Sequence, residues 1–184
     1  IMRFRGKTMG LVGFGNIAQL VAVKAQAFGI NVIASDPYVK PEVAAAKGVE
    51  LVEFDALLER SDYVSVHAPL TPATENMFST DAFAKMKSTA YIVNTARGGL
   101  IDTKALVTAL DAGELAGAGL DVLPQEPPAE DDPILSRDDV VINPHTSFYS
   151  EDALLDLQTT VAGDILTVLN GGQPKWPANP DVFK

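Results

Sequence analysis

The stretch NTARGGLID, Asn94 to Asp102, sets an arginine between an apolar run and two consecutive glycines. A guanidinium is a planar fork of donors that matches a carboxylate, and glycines behind it leave room for one. Arg97 is therefore expected to meet an anion, with an ion pair to a structural acid as the alternative. The chain has two histidines, His67 in SVHAPLTPAT and His145 in INPHTS. Imidazole titrates near neutral pH, which suits proton transfer. His145, closing the last apolar run, is the better candidate for general acid and base. Glu126, in PQEPP, is the natural carboxylate to orient it. His67 is expected to line a cofactor cleft with Pro69 and Thr74 rather than to do chemistry. A satisfied structural role stays open for both rings.

A second group of residues has the chemistry of nucleotide binding. Gly13-Phe14-Gly15-Asn16-Ile17-Ala18 is a G-x-G-x-x-A turn between an apolar run and a helical pattern. The first glycine allows the tight turn, the second lets the backbone approach a pyrophosphate, and Ala18 allows close helix packing. The free N–H groups at the helix start would face the phosphates. A purely structural glycine turn would look the same, so the acid at the end of the second run matters. Asp36, in IASDPY, lies 18 residues beyond Ala18, where a carboxylate would bind the adenosine ribose hydroxyls. It would repel a 2′-phosphate, and Pro37 and Tyr38 follow it without an arginine to reverse that preference. NAD is thus expected over NADP.

These residues need a scaffold that gathers them. Apolar runs recur at 8–13, 30–35, 63–68, 90–95, 116–122 and 140–144, with little alternation, as in strands buried on both faces of a parallel sheet. Helical patterns lie between them. Asn16–Phe28 stops at Gly29, and Asp102–Ala112 has Asp102 as N-cap and Gly113 as stop. The expected fold is α/β, a Rossmann-type doubly wound parallel sheet with helices on both faces. Gly13, Asp36, His67, Arg97, Asp121 and His145 all follow the carboxyl ends of strands, so one sheet edge would collect them. From Ser150 a long amphipathic helix is expected, with Leu154, Leu157, Val161, Ile165 and Val168 on one stripe. A Pro-rich tail carrying Trp176 and Phe183 follows. The expected division is a nucleotide-binding domain over 3–149 and a helix with tail over 150–184.

Composition narrows the classes. The formal net charge of −10 argues against a nucleic-acid surface, and no apolar run reaches the roughly 18 residues of a membrane span. The absence of cysteine excludes thiolate chemistry and fits a reducing, cytoplasmic compartment. No metal site is expected.

Together, GKTMGLVGFGNIA, Asp36, NTARGGLID, LAGAGLDVLPQEPP and VVINPH resemble the nucleotide-binding domain of D-isomer-specific 2-hydroxyacid dehydrogenases. The ending PHTSFYSEDALLDL is similar to the C-terminal-binding-protein branch, with Phe148 or Tyr149 as its aromatic residue after the histidine. The resemblance implies NAD as cofactor and a small 2-oxo or 2-hydroxy acid as substrate. It implies Arg97, Glu126 and His145 as the catalytic triplet, Asp121 for the nicotinamide carboxamide and the Thr95–Ala96 backbone beside that ring. It also implies a homodimer. Asn16 stands where the family usually has an arginine, which removes one cationic phosphate contact. The family's substrate domain is not in the sequence, so an excised cofactor domain is expected, inactive by itself. An NAD-sensing corepressor-like scaffold or a catalytically silent NAD-binding module is the alternative.

Overall fold

Seven short strands carry the sheet: β1 (Thr8–Val12), β2 (Asn31–Ser35), β3 (Glu50–Leu51), β4 (Tyr63–Val66), β5 (Tyr91–Asn94), β6 (Gly117–Leu120) and β7 (Val140–Ile142). They pair in parallel throughout, in the order β3-β2-β1-β4-β5-β6-β7. The chain winds outward from β1 to β3, then returns to build β4 to β7 on the other side of β1. Neighbouring crossovers therefore diverge at β1 and β4, which opens a crevice at the carboxyl ends of those strands. This computed structural model describes residues 3–183; the side chain of Phe183 lies outside the described residues.

Among the described residues six α-helices accompany the strands: α1 (Asn16–Ala27), α2 (Pro41–Ala45), α3 (Phe54–Arg60), α4 (Thr80–Lys85), α5 (Thr103–Asp111) and α6 (Glu151–Leu169). The expected ends of α1 and α5 hold to within a residue. Asp102 caps α5 by accepting from the N–H groups of Lys104 and Ala105 at 3.0 and 3.2 Å, which satisfies donors the helix cannot. Helices α2, α3 and α4 and strand β3 go beyond the sequence reading. At five, seven and six residues the helices are too short to display a 3.6-residue period.

Two apolar layers flank the sheet. Leu11, Phe14, Ala18, Ala22 and Val32 form one under α1. Val12, Leu57, Leu58, Val64, Phe83, Ile92 and Leu106 form the larger one under α3, α4 and α5. Adjacent β1 residues Leu11 and Val12 point to opposite layers, as a strand's two-residue period requires. Each fully buried leucine or phenylalanine contributes about 1.5–3 kcal/mol. Burial on both faces holds for β1 and β2 but not throughout. In β5 buried Ile92 and Asn94 alternate with exposed Tyr91 and Val93, because the α1 layer reaches only the β1–β3 half of the sheet.

Contacts divide the chain between His145 and Thr146, so residues 146–149 group with the helix that follows rather than with the sheet. That second unit holds α6, capped by the Ser150 hydroxyl, which accepts from Ala153 N–H at 3.0 Å. Leu157, Val161, Ile165 and Val168 on its stripe are exposed, as is Trp176 in the tail.

Candidate functional site

The turn after β1 is built for close approach. Gly13 has φ +86°, and a Cβ there would press on the backbone of His67 and Ala68 at 2.8 Å; only glycine satisfies both demands. At Gly15 a Cβ would meet nothing within 4 Å, so that position is open toward solvent. Helix α1 starts without a side-chain cap and without an acid in its first turn, which leaves its N-terminal field to an external anion. Asp36 is tied to this turn. Its Oδ2 accepts from Phe14 N–H and its Oδ1 from Tyr38 N–H, both at 2.8 Å. A carboxylate oxygen has two lone pairs, so each keeps acceptor capacity for a ribose diol.

A cavity of ≈ 820 Å³ occupies the β1/β4 crevice. It is lined by Gly15, Asn16 and Ile17 of the turn, His67 and Pro69 after β4, and Thr95, Ala96 and Arg97 after β5. Within it, His67 Nε2 lies 3.0 Å from the Ser65 hydroxyl, and burial pushes its pKa down, favouring the neutral ring. Thr74 is not in the lining. Its hydroxyl donates to Pro69 O at 2.6 Å and accepts from Thr71 N–H at 2.8 Å, so it braces the loop that carries Pro69. Asp36 and Pro37 also lie outside the lining.

A second cavity, ≈ 400 Å³, holds Asp121, Glu126 and His145. His145 Nδ1 and Glu126 Oε2 are 2.8 Å apart, and Glu126 Oε1 accepts from Leu123 N–H at 3.0 Å. These two contacts, His145 first, hold the Glu126 carboxyl below the usual range, so it is an anion at neutral pH. His145 itself adopts φ +54°, uncommon for a residue with a side chain, and its N–H donates to Asp121 O at 2.8 Å. The ring is thus directed both from its backbone and from Nδ1. Asp121 is 4% exposed.

The segment Asn94 to Asp102 links these two places, with Arg97 in the lining of the first and Gly98 against Leu123 of the second. Arg97 is exposed, and its Nη1 donates to Ala96 O at 2.6 Å. Gly98 is there because a Cβ would fall inside the Leu123 carbonyl group. The Arg97 loop and the loop carrying Glu126 are therefore in backbone contact. The sequence reading passed over Asn94. This buried amide accepts from Ala96 N–H at 3.0 Å and donates to Arg97 O at 2.9 Å; a polar residue ending an apolar strand was its only signal. Among the described residues no group of three or more His, Asp or Glu is placed to hold a metal ion, and no helix is long and apolar enough to cross a membrane.

Comparison with known proteins agrees with this geometry. Residues 1–147 match the family described as "D-isomer specific 2-hydroxyacid dehydrogenase, NAD binding domain". The chain is 47% identical over 167 residues to a D-3-phosphoglycerate dehydrogenase of Methanocaldococcus jannaschii, a match covering 90% of this chain and 32% of that protein. It is 40% identical over 179 residues to a glyoxylate reductase of Korarchaeum cryptofilum, covering 97% of this chain and 54% of that protein. Among solved structures, D-lactate dehydrogenase with NAD+ from Lactobacillus jensenii superposes with a TM-score of 0.85 at 33% identity. That match covers 95% of this chain and 56% of that one. The chain thus spans about a third to just over half of the proteins it matches. An open Gly15, an acid-free helix start and a braced Asp36 fit a dinucleotide, and the chain belongs to the D-isomer specific 2-hydroxyacid dehydrogenase family as its NAD-binding domain.

Proposed function

We propose that this chain is the cofactor half of an NAD-dependent enzyme that interconverts a small 2-oxo acid and its 2-hydroxy acid. The observation that carries the reading is the His145–Glu126 pair at 2.8 Å, in a loop held against the loop of an exposed arginine. The turn at Gly13 and Gly15, with Asn16 and Ile17, would hold the pyrophosphate; Asp36, with Pro37 beside it, would hold the adenosine ribose. His67, Pro69, Thr95, Ala96 and Asp121 would flank the nicotinamide half, with Thr74 supporting them through Pro69. When bound, NAD(H) supplies or accepts the hydride.

The chain's own residues do the rest. Arg97 binds the substrate carboxylate through its fork and polarises the neighbouring carbonyl. His145, with Nδ1 committed to Glu126, gives a proton from Nε2 to the carbonyl oxygen as the hydride reaches the carbon. It takes that proton back in the oxidation. Glu126 stays charged and stabilises the imidazolium. The balance in reduction is one 2-oxo acid, one NADH and one proton to one 2-hydroxy acid and one NAD+.

The retained triplet favours this enzyme over an NAD-sensing scaffold or a silent module, either of which needs only the cofactor contacts. Phe148 and Tyr149, an exposed edge-to-face pair at 6.1 Å, support a likeness to the C-terminal-binding-protein branch only in position. A nucleotide-binding domain over 3–149, followed by a 150–184 helix and tail leading to a substrate domain, and a cytoplasmic setting belong to the same proposal, with 146–149 as the link whose contacts are with the helix. So does a homodimer: Leu20 and Val23 on α1, with Phe28 just past its end, are 52–69% exposed, an apolar face on the solvent side of a helix whose other side is already in the core.

The test is NADH oxidation by the full-length protein with glyoxylate and pyruvate as substrates. We expect turnover in the wild type. In Arg97→Ala, kcat/KM falls roughly 100-fold, mainly through KM, and in His145→Asn kcat falls roughly 10²–10⁴-fold. NADH binding should survive both changes. Undiminished turnover in either variant contradicts the assignment.

A further inference from the structure

We propose that Asn94 is the positioning residue for Arg97: its side-chain amide sets the course of residues 95–97 and so aims the guanidinium at the substrate's carboxylate. The proposal rests on the reading of Arg97 given above and deepens it.

Val12, Val66, Asn94 and Leu120 are successive partners across β1, β4, β5 and β6, and Ile142 of β7 continues the row. Parallel partners share a face, so from β1 to β7 this row at the carboxyl edge of the sheet contains four aliphatic side chains and one amide, and beyond Val12 it continues to the half-buried Ser35 of β2. Val12, Val66 and Leu120 are buried in the larger core, and Asn94 is 0% exposed. An aliphatic side chain would fill that place as the other four do. An amide there carries a desolvation cost that only hydrogen bonds offset, and packing gives no reason to bear it.

The hydrogen bonds show what the amide does. Its oxygen accepts from Ala96 N–H and its nitrogen donates to Arg97 O. One partner is only a donor and the other only an acceptor, so the amide has a single orientation. Ala96 in turn holds the guanidinium, through its carbonyl, at 2.6 Å. The Asn94 backbone carbonyl accepts from Asp121 N–H at 2.9 Å, and Asp121 O accepts from His145 N–H at 2.8 Å. One residue thereby references the arginine loop to the strand that leads to the histidine. Without its side chain, residues 95–97 lose the two bonds that fix them to the rigid sheet, and Arg97 samples directions away from the reacting carbon. Misplacement of that kind is costly because the reaction depends on near-attack geometry.

The test compares Asn94→Ala in the wild-type and Arg97→Ala backgrounds of the full-length protein, with glyoxylate and NADH. We expect KM for glyoxylate to rise roughly 10- to 100-fold in Asn94→Ala, NADH affinity to fall by a much smaller factor because Thr95 and Ala96 meet only one end of the cofactor, and Asn94→Ala to add almost nothing to KM once Arg97 is gone. Equal proportional losses in both backgrounds, or NADH affinity falling in step with KM, would overturn the proposal and make Asn94 merely structural. An unchanged KM in Arg97→Ala alone would overturn the carboxylate reading and the proposal with it. Arg97→Ala by itself therefore tells the two failures apart. If Asn94→Ala does not fold, Asn94→Ser, which keeps an acceptor for Ala96 N–H, carries the same comparison with a smaller expected rise.

Discussion

At the scale of single residues, the candidate site was legible wherever a residue type was out of place for its surroundings. An arginine before two glycines, a histidine closing an apolar run and an aspartate ending a strand all announced themselves. What escaped was the supporting layer. Asn94 reads as the polar end of a strand, because its two bonds depend on where the backbone of residues 95–97 turns. Ser65, against His67, is hidden for the same reason. His67 also makes a testable contribution to stability. Burial lowers its pKa, so the folded protein keeps the ring neutral where the unfolded chain already takes up a proton, near pH 6.5. The unfolded state then binds more protons than the native state. Stability should therefore fall as pH drops below about 6.5 and level off below the folded value, at a slope of at most about 1.4 kcal/mol per pH unit from this group. Urea unfolding between pH 7.5 and 5 should show a shallower acid decline in His67→Gln than in the wild type. Equal slopes would mean that the ring is protonated as readily in the fold as outside it.

At the scale of elements, the long patterns were readable and the short ones were not. Helices α1, α5 and α6 carry caps, glycine stops or an apolar stripe, whereas α2, α3, α4 and β3 are formed by packing against a sheet that the local sequence does not contain. Strand ends were readable for position but not for contact. Nothing in NTARGGLID and LPQEPP reveals that Gly98 lies against the Leu123 carbonyl. That contact is the hinge of the two-loop arrangement, since Leu123 N–H also holds Glu126. Gly98→Ala should cost about 1–3 kcal/mol of stability through overpacking. It should also lower kcat more than NADH affinity, because the displaced Leu123–Glu126 loop carries the partner of His145. Thermal unfolding and steady-state kinetics on the same preparation check this; an active Gly98→Ala protein of wild-type stability would show that the loops are independent.

At the scale of the whole molecule, strand order decides where function can be. The reversal at β1 places the glycine turn and His67 around one crevice, with Asp36 bonded to the turn, and the parallel direction of every strand brings Arg97, Asp121 and His145 to the same edge. With a formal charge of −10, long-range attraction does not draw an anionic cofactor in. Binding must come from local donors, the backbone of the turn above all, and Asn16 adds no positive charge there. On the function proposed above, cofactor choice turns on Asp36, whose carboxylate is braced by the N–H groups of Phe14 and Tyr38. The measurement that bears most directly on this account is a titration of the 184-residue chain with NADH and with NADPH, followed by cofactor fluorescence. Saturable NADH binding, much weaker NADPH binding and loss of that distinction in Asp36→Ala are expected. Equal affinity for the two cofactors in the wild type, or NADH binding untouched by Asp36→Ala, would contradict it.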